Sequence, residues 1–157
     1  MTFKKIDMKL AGHSDAGYLN KPKARRRAGG IFMSNSSPLP PNNGAMLTIS
    51  QIIKAVMSSI AEAELGALFI NTREGMYTMK MLEEMVHKQD QTPMQIENSM
   101  VEGVINKNIQ PKRTKSMDMR FHWLQDKESQ EQFNFFWRPV TINRGDKWTK
   151  QHATAQY

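Results

Sequence analysis

An α/β fold built on a mixed sheet follows from three features of the chain. Strand-like segments separated by turn signals fill its first third. A helix with a capped start comes next, and short apolar strands then alternate with helical segments. Strands joined by tight turns pair antiparallel, whereas a strand–helix–strand crossover leaves its strands parallel. Three hairpin-type strands followed by strand–helix units therefore predict a five-stranded mixed sheet, three strands antiparallel and the rest parallel, with helices on both faces.

The first strand is predicted over 5–19, "KIDMKLAGHSDAGYL", where Ile6, Met8 and Leu10 alternate with polar residues and lead towards Asp15. "NKPKARRRAGG" follows as a turn with Pro22 and a basic cluster, and "IFMS" is a short second strand. Residues 35–44, "NSSPLPPNNG", are rich in Pro, Asn and Ser and read as a flexible loop. "AMLTISQII" is the third strand.

In "SSIAEAELGALF", 58–69, Ser59 precedes Glu62 by three residues. That is a capping-box pattern, in which the hydroxyl accepts from a free helix N–H and the glutamate reaches back. It predicts a helix from about Ile60 to Thr72, with Gly75 breaking or bending it before "YTMKMLEEMVH" continues. Glu64 is not needed for the cap. Residues two apart on a helix do not share a face, so Glu62 and Glu64 have different roles.

"KQDQTP" is a linker and "MQIEN" a strand whose end carries Glu97. "SMVEGVIN" is a short helix capped by Ser99 or Asn98, and "IQPKRTK" a basic turn. "SMDMRFHWLQDKESQ" places Met117, Phe121 and Leu124 at helical spacing, "QFNFFWRP" is an aromatic strand ended by Pro139, and "NRGDKWTKQH" is a last short helix opening near Asp146. Phe133, Phe135, Phe136 and Trp137 read as core and sheet-face residues, and the thirteen methionines as core filler.

The 157 residues carry no internal repeat and fit one domain, with a core of about 5–152. With no cysteine, disulfides and thiolate metal sites are excluded, and the composition fits an intracellular chain. No apolar run is long enough to span a membrane, and the N-terminus lacks a signal-peptide core. A net charge of +7 favours a polyanionic partner.

Four acids fall at ends of predicted elements: Asp15, Glu64, Glu97 and Asp146. Carboxylates gathered in one pocket repel one another unless divalent cations neutralise them. Oxygen ligands without cysteine suit Mg²⁺ or Mn²⁺ better than zinc, and a pair of such ions is a known arrangement for phosphodiester hydrolysis. Spacing alone leaves solvated surface acids as the competing account.

Five segments in order, "SDAGYL" at 14–19, "SSIAEAELGAL" at 58–68, "IENSMVEGV" at 96–104, "KRTKSMDMRFHWLQD" at 112–126 and "GDKWTK" at 145–150, resemble the ribonuclease H domain that ends the Pol polyprotein of copia-type retrotransposons. The likeness runs from about Leu10 to Lys150. It implies an RNase H-like fold and an endonuclease that cuts the RNA strand of RNA–DNA hybrids with two Mg²⁺ ions, Mn²⁺ being able to substitute. By position it makes Asp15 the ligand bridging both ions, Glu64 and Glu97 further ligands, and Asp146 the holder of the second ion. It also implies a reverse transcriptase partner on the same polyprotein, and a cytoplasmic, virus-like-particle or nuclear location. A chain opening at its own Met1 stands as either an isolated reading frame or a fragment.

The chain departs from the family at Glu97, where the family has aspartate, at Ser116 in place of histidine, and at Gly145 in place of alanine. The extra methylene of Glu97 displaces its carboxylate by about 1 Å, which can cost on the order of 100-fold in rate. A catalytically impaired or silent relic that keeps the fold is the alternative.

Lys21, Lys23, Arg25, Arg26 and Arg27 form one basic cluster, and Lys107, Lys112, Arg113 and Lys115 a second. Both are candidate phosphate contacts, with solvated loops as the plain alternative. His122 lies four residues after Asp118, on the same helix face. An Asp118–His122 pair that positions the helix is preferred over a general base.

Overall fold

The computed structural model describes residues 8–21, 25–34, 45–54, 59–106 and 118–139, with the backbone alone at 18–21, 25, 34 and 118. The elements are β1 (Leu10–Lys21), β2 (Arg25–Ser34), β3 (Ala45–Ile53), α1 (Ile60–Glu84), β4 (Thr92–Ile96), α2 (Ser99–Ile105), α3 (Asp118–Ser129) and β5 (Phe133–Trp137). One five-stranded sheet runs in the order β3-β2-β1-β4-β5. β1 pairs antiparallel with β2, β2 antiparallel with β3, and β4 lies parallel to both β1 and β5. This is the mixed sheet that the order of elements predicts.

Four boundaries differ from the sequence reading. β1 begins at Leu10 and continues to Lys21, two residues past its expected end at 19, and β2 begins at Arg25 rather than Ile31. The expected basic turn is thus largely strand, paired from Asp15↔Gly29 to Lys21↔Arg25. β2 lies inside the sheet, where both its edges are hydrogen-bonded, and ladder pairing overrides the weak strand preference of charged residues. β4 opens at Thr92 and includes Pro93, two residues earlier than expected. Gly75 neither breaks nor bends the chain out of helix, because α1 is continuous across it. A Cβ there would lie 2.8 Å from the Phe32 ring, so the glycine lets the helix pack tightly over that side chain of the sheet. The loop 35–44, the basic turn 109–115 and the final helix 143–152 lie outside the described residues.

Both predicted caps form. Ser59 Oγ accepts from Glu62 N–H at 3.1 Å. For α2 the cap is Asn98 rather than Ser99, its side chain accepting from Met100 and Val101 N–H at 2.9 and 3.3 Å. One apolar core joins Phe32 of β2, Leu68 and Leu82 of α1, Met94 of β4, Leu124 of α3 and the stacked pair Phe133–Phe135 of β5. Among the described residues no helix is long and apolar enough to cross a membrane.

Candidate active site

The parallel pairing of β1 and β4 sets Gly12 beside Met94 and His13 beside Gln95. Continued two residues further, the same register brings Asp15 beside Glu97, which directly follows β4. From here the chain leaves towards β2 on one side and towards β5 on the other. β4 ends here while β1 runs on to Lys21 paired with β2, and the space outside the carboxyl end of a parallel strand is where α/β sheets bind ligands.

The first turns of α1 reach the same place. Ser59 phases the helix, so that Glu64 is set against β1 and accepts a hydrogen bond from Ala16 N–H. Asp15 is 3% exposed and Glu64 9%. The Glu64 carboxyl is pushed up from 4.5 to about 9, first by loss of water on burial, then by the negative charge of Asp15, then by that of Glu97. The three acids therefore share one electrostatic site, although they come from three elements. Asp146, the fourth predicted member, lies outside the described residues.

Three further side chains hold this frame, and none was given that role from sequence. Asn71, fully buried on α1, donates through Nδ2 to Ser14 Oγ at 2.7 Å and to the Gly29 carbonyl at 2.8 Å. It bridges β1 and β2 at the residues beside and opposite Asp15. Gly30 makes room for it: a Cβ there would meet Asn71 Oδ1 at 2.6 Å. The available signal was an Asn-Thr pair, Asn71-Thr72, inside an otherwise helical pattern, since such residues are poor in helix interiors unless their side chains have work elsewhere. Trp137 Nε1 donates to the Glu97 carbonyl at 2.9 Å and fixes the backbone that carries that acid. Trp137 is 47% exposed, so of the aromatic strand Phe133 and Phe135 are core but Trp137 is not.

Arg26 is the third. It is 5% exposed and its guanidinium donates to the Ser59 carbonyl, joining β2 to the start of α1. This places Arg26 in the framework rather than on the surface that its sequence context suggested. Arg27 lies nearer the surface and donates to Ser50 Oγ at 3.1 Å. For Lys21 and Arg25 the backbone alone is described, and Lys23, Lys107, Lys112, Arg113 and Lys115 lie outside the described residues. His122 is exposed on α3 with its ring edge-on to Phe121 at 5.3 Å, and the side chain of its expected partner Asp118 is not among those described.

A divalent cation fits the donor chemistry. The three acids offer hard oxygen ligands, and beyond the effect of burial the charges of Asp15 and Glu97 also raise the Glu64 carboxyl, a repulsion that a cation would relieve. Among the described residues no three Asp, Glu or His groups close into a ready-made metal cage.

Neither a protein-family model nor a curated protein sequence matches the chain. Solved structures do. The N-terminal RNase H domain of rv2228c from Mycobacterium tuberculosis superposes with a TM-score of 0.66 at 14% identity, over 90% of this chain and 91% of that one. LC11-RNase H1, isolated from compost and solved in complex with an RNA/DNA hybrid, gives 0.65 at 14% identity over 88% and 92%. A foamy viral protease-reverse transcriptase in complex with dsDNA gives 0.55 at 10% identity over 92% of each chain. At these identities the likeness is one of fold: the chain has the fold of RNase H domains.

Proposed function

We propose that the chain is a ribonuclease H-type endonuclease that hydrolyses the RNA strand of RNA–DNA hybrids, with Asp15, Glu64, Glu97 and Asp146 as ligands for Mg²⁺ or Mn²⁺. The observation that carries this is the coupling of Asp15, in the middle of β1, with Glu64 of α1 and with Glu97 just past the end of β4. The hybrid bound to LC11-RNase H1, a structure of the same fold, supports the substrate class. The retrotransposon Pol origin, and with it a reverse transcriptase neighbour, rests on the five ordered segments, and the foamy viral likeness is consistent with it.

Each side chain has a separable task. Asp15, central in the sheet and buried, is the fixed ligand about which the others are placed. Glu64 must release its proton to act as a ligand, and the Ala16 N–H favours its ionised, oriented form. Glu97 reaches the centre from a strand end whose backbone Trp137 holds. Bound divalent ions supply charge neutralisation, polarise the scissile phosphate and make water a better nucleophile. Arg27 and the basic residues near it other than Arg26 contribute phosphate contacts that hold the duplex without reading its sequence. A hybrid is distinguished by groove shape and by 2′-hydroxyls on one strand.

The test is incubation of the full chain with a hybrid labelled on its RNA strand, in Mg²⁺ and in Mn²⁺. Cleavage is expected, abolished in Asp15→Asn while hybrid binding persists. Glu97→Asp should raise the rate by about 10- to 100-fold if the added methylene sets the ions off register. The presence of Glu97 favours a second reading, a silent relic that binds hybrid without turnover. No cleavage by the wild type or by Glu97→Asp in either metal selects that reading.

A further inference from the structure

A second feature lies on the outer side of α1, away from the acids. Phe69, Arg73, Tyr77 and Lys80 follow one another at spacings of four, four and three residues and so form one stripe along the helix. Arg120, Trp123 and Lys127 form a matching stripe on α3, at spacings of three and four. Between the stripes is a cavity of about 320 Å³, walled by Phe69, Trp123, Tyr77, Met76, Arg73 and Lys80. Its rings are already in contact with cations and with each other. Phe69 and Trp123 meet edge to face at 5.1 Å, Arg120 lies over the Phe69 ring at 5.7 Å, and Lys127 over the Trp123 ring at 5.3 Å.

Helix packing explains the Phe69–Trp123 contact but not the rest. Tyr77 is 64% exposed and lines the cavity together with Arg73 and Lys80. The charged residues that wall the cavity are cations. Glu74 and Asp126 pair with Arg73 and Lys127 at 3.5 and 3.8 Å but do not line it. The Arg73–Glu74 pair is exposed on both sides, and pairs of that kind are weak and readily exchanged. Flat rings alternating with positive charges suit one chemistry above others: bases that stack and phosphates that lie between them. A duplex buries its bases and cannot use such a surface, whereas a single strand can.

We propose that the groove between α1 and α3 binds single-stranded nucleic acid, with Tyr77 and Trp123 as stacking surfaces and Arg73, Lys80 and Arg120 as phosphate contacts. Tyr77 is thirteen residues along α1 from Glu64, about 20 Å at the helical rise. The groove is therefore a separate site, independent of what the acids do, and it is tested without them. A strand of a few nucleotides spans that distance, so one chain could hold a duplex at one end of α1 and a single-stranded extension beside its middle.

Fluorescence anisotropy with labelled oligo(dT)12 and oligo(rU)12, in EDTA so that hydrolysis does not intervene, measures the proposal on the full chain. Tyr77→Ala should weaken binding by about tenfold, within the range found when one stacked base loses its ring. The double variant Arg73→Ala, Lys80→Ala should also weaken it and flatten the slope of log K against log salt by about 1.4. These positions are exposed or at the cavity mouth, and unchanged melting curves will show the fold intact. Wild-type affinity in both folded variants overturns the proposal. So does equal displacement of the oligonucleotide by a glutamate-rich peptide carrying tryptophan, which would make the groove a docking site for acidic protein segments.

Discussion

Glu64 is an acid that the fold keeps protonated, and the sign of its contribution to stability follows. Its ordinary value is 4.5 and its value in the folded chain about 9. The folded state therefore binds a proton that the unfolded state releases, and stability depends on pH in proportion to that difference. The contribution is fully present below about 4.5 and is lost as pH rises through about 9. In EDTA the melting temperature should fall steadily from pH 5 to pH 9, and Glu64→Gln, which cannot ionise, should remove most of that slope. Parallel melting curves for variant and wild type would show that the acid is not held protonated. The position of Glu64 was legible because Ser59 and Glu62 fix the start and phase of α1 locally. Asn71 was not, because its partners Ser14 and Gly29 are 57 and 42 residues away, and nothing in a local pattern names them. Arg26 was misread for a related reason: three arginines in a row look like surface charge, and only the pairing of β2 on both edges shows that one of them is inside.

Helix α1 shows how packing decides between local preferences. A glycine inside a helix costs about 1 kcal/mol relative to alanine, which is why the sequence suggested a break at Gly75. The helix instead runs through, because Gly75 lets it approach Phe32, a fully buried ring, and Phe133 behind it. Replacing Gly75 by alanine gains up to about 1 kcal/mol of helix propensity. It also pushes a methyl to 2.8 Å from the Phe32 ring and 3.3 Å from that of Phe133. Overpacking a tight core costs about 1–3 kcal/mol, so crowding outweighs the gain in propensity. Gly75→Ala should be destabilised by up to about 2 kcal/mol in urea unfolding, although the same change on an exposed helix face would stabilise. A more stable variant would mean that the ring moves aside freely. The same balance explains why strand order and helix succession were readable while boundaries were not. Turn residues and periodicity act locally, but the end of β1 and the start of β2 are set by the neighbours they meet in the sheet.

The acids belong to β1, α1 and the end of β4, so anything that binds all of them ties together parts of the chain that the sheet alone joins only edgewise. A ligand that binds only the folded state stabilises it by mass action, by about 2.7 kcal/mol at a hundred times its dissociation constant. For a domain of this size that is roughly 5–10 °C in melting temperature. Mg²⁺ or Mn²⁺ should therefore raise the melting temperature, and by more at pH 8 than at pH 5, because cation and proton compete for the same Glu64 oxygens. Asp15→Asn separates this from a general salt effect. It removes one of the two charges that act on Glu64, so in EDTA above neutral pH the variant should melt higher than the wild type. In Mg²⁺ the order should reverse, because the cation has lost its central ligand. A variant that gains as much from Mg²⁺ as the wild type does would place the cation elsewhere on the molecule.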